Sequence, residues 1–597
     1  MRGWSELADR VAATTRTSEK TSLLARYLAP LEEPELRAAA TFLAGRPFAE
    51  TDQRAMGLGW ATIAAVVSNL ASAPAGALGE AYDRSSDLGQ AVAEVLWLRP
   101  EEPDAFRWPS LTEVAATFSE MEAVSGAAAK GAILADLLRR CDCLTAKYVV
   151  KILTGELRIG LREGLLEAAI AAAFDRPQPD VSMALMLTGD TGETAVLART
   201  DRLREARLRL MHPIKFMLAS PAEDAADIVS RLGPTVWVED KYDGIRAQLH
   251  RKGDVVRLYS RDLHDISEQF PEIVKAARGL DWDGILDGEI LAYAHGHVLP
   301  FLKLQARLGR KDPGAEIQSE IPVIYVAFDL LAVGPRTAAS TSAASTSAAA
   351  ANCAAGNGTA NSAVEPLLSV PLVERRQRLE ALCLPCADDG GRFALSHQLA
   401  ADSAEMLDRV FDEARARRNE GLMVKDPQSG YLPGRRGMGW LKMKRALTTI
   451  DCVVTGVEVG HGKRHGVLSD YTFAVRDESI GRLVAIGKAY TGLTDAEIAE
   501  MTRWFEAHTV RQLGRFRQVE PLVVVEIAFD VIQRSSRHQS GFALRFPRIV
   551  RIRSDKSPDE VDTVATVERL YRDLQLGAEY LVTAGARQSR SPASGPA

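Results

Sequence analysis

The residue pattern changes near residue 206, and this change limits the chain to a multidomain fold. Before it, apolar residues recur every three or four positions, as from Leu36 to Leu43 and from Leu88 to Leu98, and strand-like alternation is nearly absent. After it, short runs rich in valine and isoleucine alternate with short helical segments. The 597 residues therefore predict an all-α domain over 1–205, followed by α+β structure.

Two further changes of pattern follow. The segment 337–363 consists almost wholly of Ala, Ser, Thr, Asn and Gly, so it has little apolar surface to offset the entropy of ordering, and we expect a disordered insert. From about residue 448 short strands dominate, with one helix predicted from Asp495 to His508, and roughly five strands with one helix are typical of a small OB-type barrel. The remaining boundaries are expected at 206–447 for an α+β domain, 448–580 for an OB-fold β-barrel and 581–597 for a disordered tail.

Charge is distributed unevenly along the chain. The whole sequence carries a net charge of −6, whereas residues 442–556 contain 19 Lys or Arg against 13 Asp or Glu. This local reversal of sign favours a nucleic-acid-binding surface in the C-terminal part. A second basic cluster lies in the helical region around glycines 155 and 160. Its residues could contact phosphates or could form a solvated helix face, and the pattern fits both interpretations equally well. Its members are Arg139, Arg140, Lys147, Lys151, Arg158 and Arg162.

The cysteines and the N-terminal residues indicate the cellular compartment of the protein. The six cysteines form no paired C-x-x-C set, and we interpret Cys383 and Cys386 as incidental thiols, so the sparse pattern suits a reducing compartment. Met1 to Arg10 does not resemble a signal peptide, and no stretch of about 18 apolar residues predicts a membrane span. The Ala- and Arg-rich usage is associated with GC-rich bacterial genomes. We expect a cytoplasmic bacterial protein without a membrane partner.

The most informative short stretch runs from Val238 to Arg246. A lysine, Lys241, stands at the end of a predicted strand, and a tight turn at Asp243–Gly244 leads to a second strand from Ile245. In isolation, a charged hairpin in solvent is the simplest interpretation. Further charged or aromatic residues follow at predicted strand ends, namely Arg261, Glu289, Phe328, Glu420, Lys442 and Lys444.

In this order, these residues resemble the motifs of the covalent nucleotidyltransferase superfamily, and most closely those of the ATP-dependent DNA ligases with a helical DNA-binding domain. The stretch Leu144–Glu163 is similar to that helical domain, and the stretch Ala543–Arg553 is similar to the last motif of the family. The resemblance implies an all-α N-terminal domain, an α+β nucleotidyltransferase domain of ATP-grasp-like type and a C-terminal OB-fold barrel. The insert at 337–363 departs from the family pattern but lies between motifs.

The resemblance implies a three-step reaction. Lys241 would attack the α-phosphate of ATP to give lysyl-AMP, AMP would pass to the 5′-phosphate of a nick, and the 3′-hydroxyl would displace it. A lysine attacks only as the neutral amine, and an unperturbed lysine side chain has a pKa of about 10.4. We therefore expect positive charge from Arg246, Lys442 and Lys444, or from a metal ion, to favour the amine.

The resemblance also implies roles around the bound nucleotide. It assigns adenine recognition to Glu239 and the nearby backbone, ring stacking to Phe328, ribose contacts to Arg246 and Glu289, contacts with phosphates of nucleotide or nick to Arg261 and Arg436, and charge neutralisation at the α-phosphate to Lys442 and Lys444.

The expected cofactor and partners follow from the same resemblance. Two carboxylates, Glu289 and Glu420, are the candidates to hold Mg²⁺ directly or through water, and Lys425 is interpreted as a structural ion-pair member. Arg545, Arg548 and Lys556 would orient the pyrophosphate of ATP. Nicked duplex DNA is the expected partner of a monomeric enzyme that is nucleoid-associated when on DNA, and its phosphates would contact Lys147, Arg158 and Arg162.

Two alternatives remain open from the residues. An RNA ligase or an mRNA-capping guanylyltransferase shares K-x-D-G and an OB domain, but the helical region with the stretch Arg158–Glu163 favours a DNA ligase. An NAD-dependent ligase is disfavoured, because no four-cysteine zinc module follows the predicted OB region. A catalytically inactive nucleic-acid scaffold is the alternative from another class. Such a scaffold has no need of the complete set Lys241, Glu289, Glu420, Lys442 and Lys444.

Overall fold

The computed structural model divides after Lys444 into two compact units. The predicted disordered insert at 337–363 and tail at 581–597 lie outside the described residues, as do Cys383 and Cys386. The described residues are 1–98, 108–294, 297–310, 312–336, 364–382, 384, 391–416, 419–444, 448–460, 464 and 466–575.

Helices α1 to α12 build the N-terminal region, as the apolar periodicity predicts. Their inner faces form one continuous core that includes Trp4, Phe42 and Phe118. Polar caps fix several helix starts; for example, Ser110 and Glu113 form a capping box at α7. The helices are α1 (Arg2–Ala13), α2 (Thr17–Leu28), α3 (Glu33–Leu43), α4 (Trp60–Ala71), α5 (Ala77–Ser85), α6 (Leu88–Leu96), α7 (Leu111–Ala123), α8 (Ala127–Arg139), α9 (Cys143–Leu153), α10 (Glu163–Phe174), α11 (Gln178–Thr188) and α12 (Thr191–Arg199).

The middle region contains two β-sheets flanked by helices. The first sheet has the strand order β1-β12-β11-β2-β10, and the second has the order β4-β3-β5-β7-β8, with β6 beside β5 and β9 beside β7. The elements are β1 (Leu218–Pro221), α13 (Ala225–Leu232), β2 (Val236–Lys241), β3 (Ile245–Lys252), β4 (Val255–Ser260), α14 (Pro271–Arg278), β5 (Trp282–Ala294), β6 (His297–Val298), α15 (Phe301–Gln305), α16 (Ala315–Glu320), β7 (Val323–Arg336), β8 (Glu365–Pro366), α17 (Leu372–Ala381), β9 (Phe393–Leu395), β10 (Gln398–Ala401), α18 (Ala404–Ala416), β11 (Gly421–Lys425) and β12 (Arg436–Lys444).

The two strands around the K-x-D-G stretch exist as predicted, but the hairpin between them is wrong. Strand β2 pairs with β10 and β11, whereas β3 pairs with β4 and β5. The turn Tyr242–Gly244 therefore carries the chain from one sheet to the other. A Cβ atom on Gly244 would lie 2.5 Å from the Ile290 carbonyl oxygen and 2.8 Å from Glu289 Cγ, so only glycine fits at this crossing.

Each sheet has its own apolar core, and a third core lies where the sheets face each other. The buried face of β2, β11 and β12 packs against α13 and α18. The second sheet packs against α14 and α17. The third cluster takes Met217 together with Phe328 from β7, Trp440 from β12 and the neighbouring Tyr431. This third cluster supports the space between the sheets.

The C-terminal unit is a β domain with two helices. Strand β13 pairs with β14, β17 and β18. The helix predicted over Asp495–His508 is confirmed as α19, which starts with a capping box of Thr494 and Glu497. The described part of the unit holds more strands than the roughly five expected, and its description as an OB-type barrel stays a prediction. The elements are β13 (Thr448–Val459), β14 (Leu468–Asp477), β15 (Arg482–Ala489), α19 (Asp495–Ala507), β16 (Thr509–Leu513), β17 (Phe516–Val519), β18 (Val524–Phe529), β19 (Val531–Arg534), β20 (Phe542–Arg545), β21 (Arg548–Ile552) and α20 (Val564–Gln575).

Within the described ranges, no helix combines the length and the apolar character needed to cross a membrane. Of the described cysteines, Cys141 and Cys452 are buried, and the Cys141 thiol donates to the Leu137 carbonyl at 3.2 Å.

A buried histidine ties the second sheet to the segment that leads out of the helical region. The backbone N–H of Met211 donates to His250 Nδ1 at 3.2 Å, so Nε2 carries the proton and donates to Gln248 Oε1 at 3.2 Å. Gln248 in turn donates to the Ile214 carbonyl at 2.6 Å. Burial, and to a smaller extent His212, lowers the pKa of His250 to about 3.

This histidine predicts a stability that depends on pH. The unfolded chain protonates His250 near pH 6.5, whereas the folded protein keeps it neutral, so its contribution is complete above about pH 6.5 and is lost as the pH falls toward 3. We expect the free energy of unfolding of the wild type to fall about 2 kcal/mol more than that of His250→Asn between about pH 8 and pH 5. Urea unfolding at both pH values measures this difference, with His264→Asn at an exposed position as the control. Equal losses in wild type and His250→Asn would contradict it.

Candidate active site

One cavity of about 220 Å³ lies between the two sheets of the middle region. It brings together Lys241 and all eight residues expected to bind the nucleotide, and Glu420 borders it through its ion pairs. The eight are Glu239, Arg246, Arg261, Glu289, Phe328, Arg436, Lys442 and Lys444. Its other lining residues are Leu218, Ala219, Asp240, Tyr242, Met423, Lys425 and Trp440.

Three neighbouring strands, β2, β11 and β12, form one wall of the cavity. Residues two apart on a strand point to the same face of the sheet, so alternating sequence becomes a polar face and an apolar face. In β2, β11 and β12 the apolar positions enter the core, and the positions between them face the cavity. The cavity-facing rows are Lys241–Gly421–Lys444, Glu239–Met423–Lys442 and Trp237–Lys425–Trp440, of which Gly421 and Trp237 are not in the cavity lining.

Lys241 is held by Glu420, the residue before β11. The same carboxylate also forms an ion pair with Lys444. Burial raises the pKa of Glu420, but Lys241 and Lys444 outweigh this effect, so the pKa is lowered overall. Lys444, expected to supply positive charge beside Lys241, shares this carboxylate with it, so the one negative charge offsets only one of the two positive charges.

Arg246 is fixed by a carboxylate that the sequence argument did not select. Its guanidinium donates to both oxygens of the fully buried Asp287, at 3.1 and 2.7 Å, and to the Met217 carbonyl at 2.8 Å. The Tyr431 hydroxyl also donates to Asp287, at 2.8 Å. Burial acts to lower the pKa of Arg246, but Asp287 outweighs it and raises the pKa. The signal for Asp287 was its position two residues before Glu289, on the same face of β5.

Glu289 faces Arg246 across the β3–β5 pair. Burial raises the pKa of Glu289 to about 8, although Lys241 and Arg246 favour its ionised form. Among the described residues, no group of three or more His, Cys, Asp or Glu side chains is arranged to hold a metal ion. The two expected ligands, Glu289 and Glu420, supply carboxylate oxygens of the kind that Mg²⁺ prefers, and their role as metal ligands stays a prediction.

Glu239 is buried, and both of its carboxylate oxygens are occupied. Lys425 Nζ donates to one oxygen at 2.7 Å, and Gln398 Nε2 donates to the other at 2.6 Å. The interpretation of Lys425 as an ion-pair member is confirmed, but this lysine also lies 4.8 Å from the ring centre of Phe328 and 4.5 Å from that of Trp440. The signal for its place in the site was the alternation of Met423 and Lys425.

The residues expected to contact DNA lie on or beside α9 and α10. Lys147 forms an ion pair with Asp9 at 2.9 Å, and Arg158 forms one with Glu156 at 2.8 Å. Arg158 and Arg162 are exposed, and Arg162 is the residue before α10. Lys151 of the same basic cluster is buried and paired with Asp87, so it does not belong to an exposed basic face.

The cations expected to orient pyrophosphate lie in the C-terminal unit. Arg545 ends β20 and donates to Gln533 Oε1 at 3.4 Å. Arg548 begins β21 and is exposed. Lys556 forms an ion pair with Asp451 at 2.6 Å. Their contact with pyrophosphate stays a prediction.

A lysine at a strand end, a carboxylate beside it, and further cations around a cavity with an aromatic floor are the features of a covalent nucleotidyltransferase. Three family models match the chain in sequence order. They are the DNA ligase N terminus over residues 2–171, the ATP dependent DNA ligase domain over 216–444 and the ATP dependent DNA ligase C terminal region over 464–556. The chain belongs to the ATP-dependent DNA ligases.

Similar proteins agree over nearly the full length. A probable DNA ligase of Koribacter versatilis is 46% identical, covering 95% of this chain and 96% of the relative. A DNA ligase of Archaeoglobus fulgidus is 32% identical, covering 95% and 98%. The solved structure titled Pmar-Lig_PreS3 shares the fold, with a TM-score of 0.58 and 14% identity over 92% of this chain and 99% of that one. The predicted class is confirmed as a helical N-terminal region, a nucleotidyltransferase domain and a C-terminal β domain.

The buried pair in the cavity predicts a large effect on stability. Lys425→Met leaves the Glu239 carboxylate buried without its cation, and we expect a loss of roughly 3–5 kcal/mol in the free energy of unfolding. Adding Glu239→Gln removes the unpaired charge, so the double variant should recover part of the loss. Urea unfolding compares them, with Lys252→Met at the exposed end of β3 as the control. A double variant less stable than Lys425→Met would refute this reasoning.

Proposed function

We propose that this ligase seals nicks in duplex DNA through a lysyl-AMP intermediate on Lys241, with ATP and Mg²⁺. The observation that carries the proposal is the cavity itself, because it places Lys241 and all eight expected nucleotide-binding residues around one space. Membership of the ATP-dependent DNA ligase family supports the same reaction.

The first step needs a change of partner at Lys241. Its Nζ is paired with Glu420, so it has to leave that carboxylate and lose a proton to solvent before its lone pair can attack. The Nζ–P bond then forms as the bond from the α-phosphorus to the bridging oxygen breaks, pyrophosphate leaves with the electron pair, and the nitrogen gives up a second proton to solvent. The product is a phosphoramidate between Lys241 and AMP.

A group of cations stabilises the charge that develops at the α-phosphate. Burial lowers the pKa of Lys442, and the nearby Lys444, Lys241 and Arg436 lower it further, which shows how closely these positive charges lie together. Such a fixed group of cations binds phosphate oxygens most strongly where the negative charge increases. Lys442 and Lys444 therefore serve the α-phosphate in this proposal.

The cavity floor suits a nucleoside. Because the Glu239 carboxylate is held by Lys425 and Gln398, adenine recognition falls mainly to the backbone around Glu239. Phe328 offers its ring as the stacking surface, and its edge-to-face contact with Trp440, with 6.3 Å between ring centres, keeps it in place. Arg246 and Glu289 serve the ribose from β3 and β5.

Two carboxylates beside Lys241 would hold Mg²⁺. Glu420 is paired with Lys241 and Lys444, and Glu289 lies within electrostatic reach of Lys241. When bound, Mg²⁺ supplies positive charge to phosphate oxygens. The donor set of two carboxylates leaves the remaining positions to water and phosphate.

The later steps require duplex DNA. AMP passes from Lys241 to the 5′-phosphate of the nick, and the 3′-hydroxyl then attacks that phosphate and releases AMP. Exposed Arg158 and Arg162 flank Gly160, whose left-handed φ of +65° favours glycine, and they would contact DNA phosphates. The proposal also includes an OB-type C-terminal domain, a monomer and a bacterial cytoplasm.

The nucleophile predicts a split between the reaction steps. Lys241→Ala should form no covalent adduct with labelled ATP, because the attacking nitrogen is gone. The same variant should still close a nick that already carries 5′-AMP, since that step forms no new bond to lysine. Gel assays of both reactions measure this, and Lys252→Ala, on an exposed lysine, should behave as wild type. A persisting adduct would exclude Lys241 as the nucleophile.

The specificity for ATP is tested in the same gel. Labelling from ATP, and not from GTP or NAD, is expected of an ATP-dependent ligase. Labelling from GTP would instead support the capping alternative, and no label from any of the three would support an inactive scaffold.

The raised pKa of Glu289 predicts that the affinity of the enzyme for Mg²⁺ depends on pH. Because burial raises its pKa to about 8, the carboxyl must lose a proton to hold a cation, so the affinity for Mg²⁺ should rise with pH up to about 8. We expect Glu289→Gln to raise the Mg²⁺ concentration for half-maximal adenylation roughly tenfold, which corresponds to about 1.4 kcal/mol of binding free energy. The same variant should weaken the dependence of Mg²⁺ affinity on pH. Titrations of Mg²⁺ at two pH values measure both effects, with exposed Glu268→Gln as the control. An unchanged titration would rule out Glu289 as a ligand.

A further inference from the structure

The helical domain contacts the turn that carries Arg261. Gln53 Nε2 donates to the Leu263 carbonyl at 2.8 Å, and the backbone N–H of Asp265 donates to Gln53 Oε1 at 2.9 Å. Leu263 has φ +62°, a left-handed conformation that costs free energy for a side chain of this kind. Both polar atoms of the Gln53 side-chain amide therefore support a strained turn directly after β4.

A second contact reaches the residue before Arg436. Glu167 of α10 forms an ion pair with Arg435 at 2.8 Å, and Ser182 of α11 accepts from the same guanidinium at 3.0 Å. Ser182 also donates to Glu167. The Arg435 carbonyl accepts from the Leu218 N–H at 3.0 Å, which joins this position to β1. The start of β12 is thus fixed from the helical side.

A third contact lies beside the second. Lys215 is held between Glu50 and Glu163, each at 2.7 Å. Gly434 packs on the stem of this lysine, and a Cβ atom there would lie 2.9 Å from Lys215 Cδ. The carboxylates all come from the helical domain, and the cations lie on the nucleotidyltransferase side.

The two supported segments carry the exposed arginines of the cavity. Arg261 and Arg436 are exposed, whereas Glu239 is buried and Arg246 is partly buried. Exposed cations at the edge of a cavity meet groups that arrive from outside, and the nick brings its own 5′-phosphate. A domain that only gripped DNA would not need contacts at these two segments.

We propose that Gln53 and Glu167 are positioning residues for the two DNA-dependent steps, because they hold the segments that carry Arg261 and Arg436. This inference rests on the proposed nick-sealing function, and it assigns the two arginines to the phosphate of the nick. Neither Gln53 nor Glu167 lines the cavity, so both act through the segments they contact.

The test uses the full chain with Gln53→Ala, Glu167→Gln and the two combined. Three quantities are measured: adenylation by labelled ATP without DNA, single-turnover closure of a pre-adenylated nick at saturating ligase, and affinity for that nick over a range of salt. We expect the combined variant to close the nick roughly tenfold more slowly, as small displacements of reacting groups do. Adenylation, nick affinity and its salt dependence should stay within about twofold of wild type.

Two controls separate positioning from general damage. Glu193→Gln breaks an ion pair of similar type, with Arg209 at 3.1 Å, that shares no residue with the contacts to the two arginine segments, and it should behave as wild type. If Glu167 acts through Arg435, then Arg435→Gln added to Glu167→Gln should slow closure no further.

Three outcomes would overturn the inference. If the variants bind the nick more weakly but close it at the normal rate at saturating ligase, then the helical domain only binds DNA and does not position the two segments. A parallel fall in adenylation would show that the contacts support the whole unit. Unchanged variants beside an active wild type would reject this inference alone, whereas a wild type that forms no lysyl-AMP would reject the proposed function.

Discussion

The site depends on one crossing of the chain between two sheets. Strand β2 ends at Lys241 in the first sheet, and only the turn Tyr242–Gly244 separates it from β3 in the second. The proposed nucleophile Lys241 therefore belongs to one sheet, while Arg246 and Glu289 belong to the other. The crossing is possible because Gly244 fits against the Ile290 carbonyl where any side chain would collide. The space held open between the sheets is the cavity proposed to bind the nucleotide.

Carboxylates already hold the main cations of this cavity. Lys241 and Lys444 share Glu420, Arg246 is bound by Asp287, and Lys425 is bound by Glu239. Burying a cation beside an anion lowers the cost of removing both from water. In the proposed function, nucleotide binding at Lys241 and Lys444 is then an exchange of carboxylate partners for phosphate partners. The pair of Lys425 and Glu239 is buried more deeply and acts as part of the floor.

Local pattern predicted the strands, because alternation with period two is written in the sequence itself, whereas the residues that line the cavity were selected from ordered motifs at strand ends and the family that these motifs resemble. It did not predict which strands pair. The hairpin at Asp243–Gly244 was wrong because β2 finds its partners about 160 and 180 residues later, in β10 and β11. Asp287 and Gln398 were missed for the same reason, since their roles appear only when distant strands meet. Lys151 was grouped with exposed cations because charge alone does not reveal burial beside Asp87.

The alignment of β2, β11 and β12 restricts where the length of this chain can change. Shifting β11 by one residue would turn Leu422 and Val424 toward the nucleotide and would replace Gly421, where a Cβ atom would lie 2.1 Å from the Met443 carbonyl oxygen. By contrast, β7 and β8 are far apart in the sequence but pair with each other, with Ala332 opposite Pro366. Because loop closure grows only slowly in cost with length, the stretch between them can lengthen or shorten with little effect on the fold. Natural variation in length should therefore accumulate at 337–363, whereas β11 should keep its length to the single residue.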